Sequence, residues 1–307
     1  MKLRALSSYD NDLDTRFGDC LLIYDSSHLI VYDCGHDRHA EEVGAFLYTH
    51  PQISQVFLVL SHNDSDHTDG VIKLLTLLSD RGYTVTLYTS LYLKSAHKVL
   101  EILDDNRRTP SSVRRHILEL FDNIAEIVAK AQDLGHTVSN ATKGQQFCTC
   151  EVVGPTEDEF CEVVAKAIED GDVSHIDGET VMNAASIQLK AVLDENLNIL
   201  LCGDATPEYL HNLNSFKIIQ LPHHGKLDSA VAIFDDLYDP YSKEFLISDN
   251  TGSASNSGGS EKLVAYMREE NFSPAWNTRQ RIIDLPVSTK QNVMSGVKLG
   301  AMDCRLW

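Results

Sequence analysis

Positive charge is scarce in this chain. Its 307 residues carry 26 Lys and Arg against 45 Asp and Glu, a formal charge of −19. The shortage excludes a broad basic surface for non-specific nucleic-acid binding. It leaves nucleic acid open as a substrate, because bound cations reverse the sign locally. Long apolar runs are also missing: none approaches the roughly 18 residues of a membrane span, and no early stretch has the basic-then-apolar form of a signal peptide. A cytoplasmic protein with no membrane partner is expected. The C-x-x-C pair is absent, and the seven cysteines, at 20, 34, 148, 150, 161, 202 and 304, are odd in number and scattered. Reduced thiols in a reducing compartment follow. Cys148 and Cys150 stand too close for zinc-ribbon spacing, so alternation along one strand is the expectation. There is no internal repeat and no linker. With a hydrophobic fraction of 43%, residues 1–307 read as a single globular domain.

What is present centres on Ser61-His62-Asn63-Asp64-Ser65-Asp66-His67-Thr68-Asp69-Gly70. The run from Gln55 to Leu60 before it is apolar and partly β-branched, as in a strand buried on both faces. After it, Val71, Leu74, Leu75 and Leu78 recur at helical spacing. Two histidines and three carboxylates therefore crowd a short strand-to-helix loop, the place where α/β proteins carry their chemistry. A solvated loop would account for any one of them. His62, Asp64, Asp66 and His67 converging together call for a divalent cation to offset their charge.

Other strands end in polar groups too. Two strands are expected at 16–24 and 29–35, the second closing on Asp33-Cys34-Gly35. Asp33 is either a helix N-cap or a carboxylate behind a metal ligand. His36 and His39 open a helix that runs through Glu41 to Tyr48. A strand is expected over 83–88. Residues 91–135 show helical spacing without a strand signal and read as two or three helices broken near Thr109-Pro110. This segment could pack on the sheet, cover the site or meet a protein partner. Strands resume at 146–153, followed by a helix over 156–168. The acidic stretch 169–180, which contains His175, fails the EF-hand pattern and reads as a solvated loop. Strands at 186–193 and 198–202 lead to Gly203-Asp204. A strand at 216–221 leads to Pro222-His223-His224-Gly225, and one at 244–247 to Ser248-Asp249-Asn250. The Gly/Ser-rich loop 251–260 reads as mobile, with a phosphate cradle at the start of the following helix as the alternative.

The order D…H-x-D-x-D-H…G-D…H-H-G, carried by Asp33, His62 to His67, Gly203-Asp204 and His223-His224-Gly225, resembles the metallo-β-lactamase fold superfamily. Within it the chain is most similar to the soluble ComEC-like domains and their stand-alone relatives. The shared details are Gly18-Asp19 before the first apolar strand, Asp64 where most of the superfamily has histidine, the N-x-x-S stretch Asn183 to Ser186, and the L-x-G-D-A and P-H-H-G motifs. The resemblance covers about residues 1–270, with 91–135 as an elaboration.

That resemblance implies an α/β fold of αββα type, two mixed sheets face to face with helices outside. It implies two divalent metal ions, Zn2+ or Mn2+ with Mg2+ also suitable. Asp66 and His67 would bind one ion, Asp204 would bridge both, His224 would complete the second site, and His62 and Asp64 would bind the other ion. The family's additional histidine has no clear match among His97, His116, His136 and His175. A carboxylate at position 64 hardens the site towards manganese or magnesium. Asp66 and Asp204 would act with His223, which would face a substrate phosphate or the leaving oxygen. Asp33, Asn183, Ser186 and Asn250 are candidates for supporting or substrate contacts. The function implied is a metal-dependent hydrolase, a phosphodiesterase or nuclease acting on a phosphodiester. The alternatives are an ester, thioester or lactone hydrolase of the same fold, and a metal-binding regulatory or defence module without turnover.

Overall fold

The computed structural model describes residues 1–6, 18–90, 95–103, 108–170, 175–176, 179–249, 260–279, 281–287 and 305–306. Asn250, Cys304 and the Gly/Ser-rich stretch 251–259 lie outside them.

A strand that is apolar at every position has to bury both faces, and the strands that lead to the central motif do so. In β3 (His28–Tyr32) Leu29 and Val31 face one hydrophobic cluster, while Ile30 and Tyr32 face another. β4 (Gln55–Val59) divides Val56 and Leu58 from Val59 in the same way. Both belong to a seven-stranded sheet that also holds β1 (Lys2–Ala5), β2 (Leu21–Tyr24), β5 (Val85–Thr89), β6 (Thr137–Asn140) and β16 (Ile283–Leu285), in the order β16-β1-β2-β3-β4-β5-β6. Strands β3 to β6 are parallel, whereas β16, β1 and β2 run antiparallel to their neighbours.

The second sheet has eight strands. It contains β7 (Gln146–Phe147), β8 (Cys150–Gly154), β11 (Gln188–Asp194), β12 (Leu197–Leu201), β13 (Ile218–Gln220), β14 (Glu244–Ile247), β15 (Ala275–Asn277) and β17 (Arg305–Leu306), ordered β17-β15-β14-β13-β12-β11-β8-β7. The two sheets share an inner core of Leu3, Ile23, Ile30 and Val59 against Leu189, Ile199, Leu201 and Leu246.

Each outer face carries helices. Over the first sheet lie α1 (Asp37–Thr49) and α3 (Val71–Asp80), the latter seated by Val71, Leu74, Leu75 and Leu78 as their spacing predicts. The short α2 (Ser65–Thr68) precedes α3 within the central motif. Over the second sheet, α10 (Leu227–Asp236) and α11 (Ser260–Glu269) bury Ile233, Phe234, Leu263 and Met267. The fold is an αββα sandwich of mixed sheets. Among the described residues no helix is long and apolar enough to cross a membrane.

The described residues of the 91–135 segment form three helices, α4 (Ala96–Leu103), α5 (Pro110–Leu120) and α6 (Asp122–Asp133). Thr109 caps α5 in a capping box with Ser112, and Pro110 takes the first turn, where its missing N–H costs nothing. Val99, Val113, Ile117, Ile124 and Ile127 join the outer core of the first sheet, so the elaboration packs on the sheet.

Three local expectations change. The 146–153 stretch is a hairpin of β7 and β8, not one strand. Cys148 sits in its turn with φ 54° and is exposed, whereas Cys150 is buried, so strand alternation does not relate them. The 169–180 stretch contains a short antiparallel pair, β9 (His175–Ile176) and β10 (Glu179–Thr180). Helix α7 (Glu157–Asp170) precedes this pair and α8 (Val181–Ala184) follows it. Strand β6 is unannounced in the sequence because an edge strand of half-exposed Thr, Val, Ser and Asn carries no apolar run.

Candidate metal centre

The strand ends that lead to Asp33, His62, Asp204, His224 and Ser248 lie on one rim of the sandwich. β3, β4, β12, β13 and β14 deliver these residues just past their carboxyl ends. Asp19 joins them from the start of β2, which runs antiparallel to β3 and so begins at the same rim.

Backbone contacts hold the central loop against that rim. The Asp66 carbonyl oxygen accepts from the Asp19 N–H at 3.0 Å, and the His67 carbonyl accepts from the Cys34 N–H at 3.0 Å. Gly18 and Gly35 leave room for this: a Cβ on either would stand 2.2 or 1.6 Å from the Asp66 oxygen. The short helix α9 (Pro222–Gly225) presents the histidine pair with left-handed backbone at His223 (φ 51°) and His224 (φ 55°). Asp33 is left-handed as well, at φ 61°. Non-glycine residues held in this region store strain that the surrounding fold must sustain, and such positions cluster at functional sites.

Asp33 is not a helix cap, since His36 caps α1. Its buried carboxylate instead organises two histidines. Oδ1 accepts from the Ser61 N–H at 2.7 Å, and Oδ2 accepts from Ser61 Oγ at 2.6 Å and from His67 Nδ1 at 2.8 Å. Ser61 Oγ in turn lies 2.9 Å from His62 Nδ1. Both imidazoles thus spend Nδ1 on this network and leave Nε2 free. The Nε2 atoms of His62 and His67 are buried without a hydrogen-bond partner. They face Asp204: His67 Nε2 lies 3.4 Å from Oδ1, and His62 Nε2 lies 3.9 Å from Oδ2.

On the other side, His224 Nδ1 donates to the Ser248 carbonyl at 3.0 Å. Its Nε2 lies 3.0 Å from Asp66 Oδ2 and 3.9 Å from Asp204 Oδ2. Asp19 is buried, with Oδ2 accepting from Gln220 Nε2 at 2.6 Å and Oδ1 left without a hydrogen bond, 3.4 Å from His224 Nδ1. Asp64 heads α2 without capping it, and its carboxylate lies 3.7 Å from His62 Nε2.

Two groups of buried ligand atoms result, each within 4.8 Å of one another: His62 with His67 and Asp204, and Asp19 with His67 and His224. His67 belongs to both. Orphaned imidazole nitrogens and an orphaned carboxylate oxygen, converging in a buried site, fit divalent cations. Electrostatics agree. Burial by itself would favour the neutral form of His67, but Asp204 and Asp33 override it and hold the ring well above the usual histidine range. Asp204, Asp19 and Asp66 do the same for His224. Burial would raise Asp204 and Asp66, yet the facing histidines bring both carboxylates below their usual range. His62 lowers Asp64 in the same way against its own burial.

Of the remaining sequence candidates, Ser186 Oγ accepts from the Asp204 N–H at 3.2 Å, and the buried Asn183 offers its carbonyl to the Ser186 N–H at 2.9 Å. His223 is half-buried, and its N–H donates to Asp204 Oδ1 at 3.2 Å. Between the central motif and Asp204 the described side chains supply no further ligand histidine. His136 bonds Val85 and Leu75 backbone atoms, His116 pairs with Glu119, and His97 is exposed. Asp19 and Ser61 are the components that the sequence left without a role. A Gly-Asp pair before a strand looks like a turn until the antiparallel pairing of β2 with β3 brings it to the rim.

One contact ties the helical elaboration to this loop. Asn63, between His62 and Asp64, donates from Nδ2 to the Leu120 carbonyl at 2.9 Å, and its own carbonyl accepts from Asn123 Nδ2 at 3.0 Å. The junction of α5 and α6 therefore grips the loop from outside.

No protein-family model matches the chain, and no curated protein does. Solved structures resemble it at low identity. The metallo-β-lactamase fold protein YhfI from Bacillus subtilis is 9% identical, with a TM-score of 0.40 over 80% of this chain and 84% of that one. The short form of human tRNase Z is 11% identical, with a TM-score of 0.36 over 88% of both chains. A long form of RNase Z from yeast is 12% identical, with a TM-score of 0.37 over 80% of this chain and 36% of that one.

Proposed function

We propose that residues 1–307 form one metal-dependent hydrolase unit of the metallo-β-lactamase superfamily, of its ComEC-like branch, and that it cleaves phosphodiester bonds, with nucleic acid as the substrate class. The observation that carries this reading is the convergence of His62, His67, His224, Asp19 and Asp204 on one buried rim with ligand atoms left unpaired. His62, Asp64 and Asp204 would hold one ion, and Asp66, His67, His224 and the shared Asp204 the other, with Asp19 beside His224. Divalent ions in such a pair supply an activated water at neutral pH and offset charge on the phosphoryl oxygens.

The chain's own residues do the rest. Asp33 fixes His67 directly and His62 through Ser61, so that each presents Nε2. Ser248 fixes His224 through its carbonyl. Ser186 and the His223 N–H hold Asp204 from two sides. Asp66 orients the attacking water through its carboxylate, and the His223 ring, half-buried beside the cluster, donates a proton to the leaving oxygen. Asp64 in place of an imidazole favours Mn2+ or Mg2+ over Zn2+. Reduced cysteines fit a cytoplasmic setting.

The test is hydrolysis of bis-p-nitrophenyl phosphate and of single- and double-stranded DNA with added Mn2+ or Zn2+. Turnover is expected, and Asp204→Ala is expected to remove it. Absence of turnover, or turnover untouched by the substitution, contradicts the proposal. A thioester and lactone panel run alongside tests the other bond classes.

A further inference from the structure

The segment between β15 and β16 carries the chain from one sheet to the other at the rim where the ligands gather. Its position follows from strand register. In the first sheet Ile283 pairs with Ala5, and Ala5 pairs with Leu21, so the three residues form a row across β16, β1 and β2. Arg281 and Asp19 each stand two residues before that row. Carried on at that register, their backbones fall two strands apart, roughly 10 Å at ordinary strand spacing. In the second sheet Ile247 pairs with Asn277, and just beyond lie Ser248, whose carbonyl holds His224, and Thr278. The Arg281 N–H donates to the Thr278 carbonyl at 3.2 Å. The Arg281 backbone thus lies at the end of the rim that carries Asp19 and Ser248.

Its guanidinium is unusual in this acidic chain. Nε and Nη2 are buried and have no hydrogen-bond partner among the described residues. Arg279, two residues earlier, spends its charge on Glu261 at 2.8 Å, and Arg4 binds Asp284 through both of its forks at 2.8 and 3.0 Å. Each nearby carboxylate has one oxygen engaged away from Arg281. Asp249 Oδ2 accepts from Asn277 at 2.9 Å, and Asp19 Oδ2 accepts from Gln220. Arg281 is half-buried, and a guanidinium cannot discharge itself by losing a proton, so two buried nitrogens without a partner call for an anion.

We infer that Arg281 is a substrate-binding residue, which takes the non-bridging oxygens of a phosphodiester seated at the metal centre. Its planar fork matches two phosphoryl oxygens at once. The inference rests on the phosphodiesterase reading for its substrate class and assigns the positive group that an otherwise acidic site needs to hold a polyanion.

Calorimetric titration of the Mn2+-loaded full chain with inorganic phosphate, and separately with acetate, tests it. Wild type, Arg281→Lys and Arg281→Gln are compared, with thermal melts of each in phosphate-free buffer. Phosphate is expected to bind wild type and to bind Arg281→Gln about ten- to hundredfold more weakly, the range for one lost charge-assisted contact. Arg281→Lys should fall between, acetate binding should be unchanged, and Tm should hold or rise once the unpaired charge is gone. An unchanged phosphate affinity in Arg281→Gln overturns the inference, as does wild type that binds no phosphate. Equal loss for acetate overturns the phosphoryl assignment, and loss accompanied by a several-degree fall in Tm marks the residue as structural. If phosphate binding depends on Arg281 while wild type hydrolyses no phosphodiester, the anion site stands and the hydrolase reading falls.

Discussion

At the scale of single residues, Asp33 has most of the leverage on the centre. It binds no metal in the proposed arrangement, yet it aims two imidazoles at one place. Asp33→Asn would set an amide against donors that need an acceptor. Metal affinity should fall about 10- to 100-fold, and the unfolding free energy by roughly 1–3 kcal/mol, read by metal titration and by denaturant melts. Protonation gives a second prediction. His67 and His224 are held above the usual histidine range by their carboxylates, so near neutrality they carry protons that a metal must displace. Metal affinity should therefore weaken as pH falls, and titration in buffers of different ionisation enthalpy should report proton release. Heats that do not depend on the buffer would contradict this.

His39 has the opposite sign. It is wholly buried in α1, and burial first, with His36 second, pushes it down to about 4. The folded state keeps it neutral while the unfolded chain protonates it near 6.5. The stability this represents is complete above pH 6.5 and is lost as pH falls towards 4, by roughly 3 kcal/mol. His39→Leu should fall less steeply in stability between those pH values, as measured by denaturant melts.

At the scale of elements, the elaboration of α4 to α6 acts on the site through its contact with Asn63. Asn123 is exposed and packs into no core, so Asn123→Ala should leave Tm nearly unchanged. It should nevertheless weaken metal binding, because the loop carrying His62 and Asp64 loses an outer support. Restored affinity in Asn123→Gln, or no effect in either variant, separates positioning from coincidence. The contact was invisible in the sequence because Asn63 and Asn123 lie 60 residues apart. The elements themselves were largely legible. Helix α3 announced itself by apolar spacing, and β3 and β4 by continuous burial. Strand β6 and the β7–β8 hairpin were not, since short half-exposed edge strands have no periodicity strong enough to read. The glycine cradle is equally a product of packing: Gly35→Ala would drive a methyl group onto the Asp66 carbonyl, 1.6 Å away. That variant is expected to lose both fold stability and metal binding.

At the scale of the whole molecule, the site was legible where strand ends announced it. A buried apolar strand that stops at a histidine or aspartate is conspicuous, and Asp33, His62 to His67, Asp204 and His224 all follow such strands. Asp19 stood out only as part of a motif without a role, and Arg281 not at all, because only the sheet order brings them to the same rim. A charge of −19 gives the protein no general attraction for a polyanion. Affinity for one would have to be local, from the cations and the arginine proposed at the rim. In the proposed arrangement this rim holds two metal ions that share Asp204. Equilibrium dialysis against Mn2+ followed by elemental analysis measures that directly. Two ions per chain are expected in the wild type and at most one in Asp204→Ala. No bound metal in the wild type, or the same content in both proteins, would contradict it.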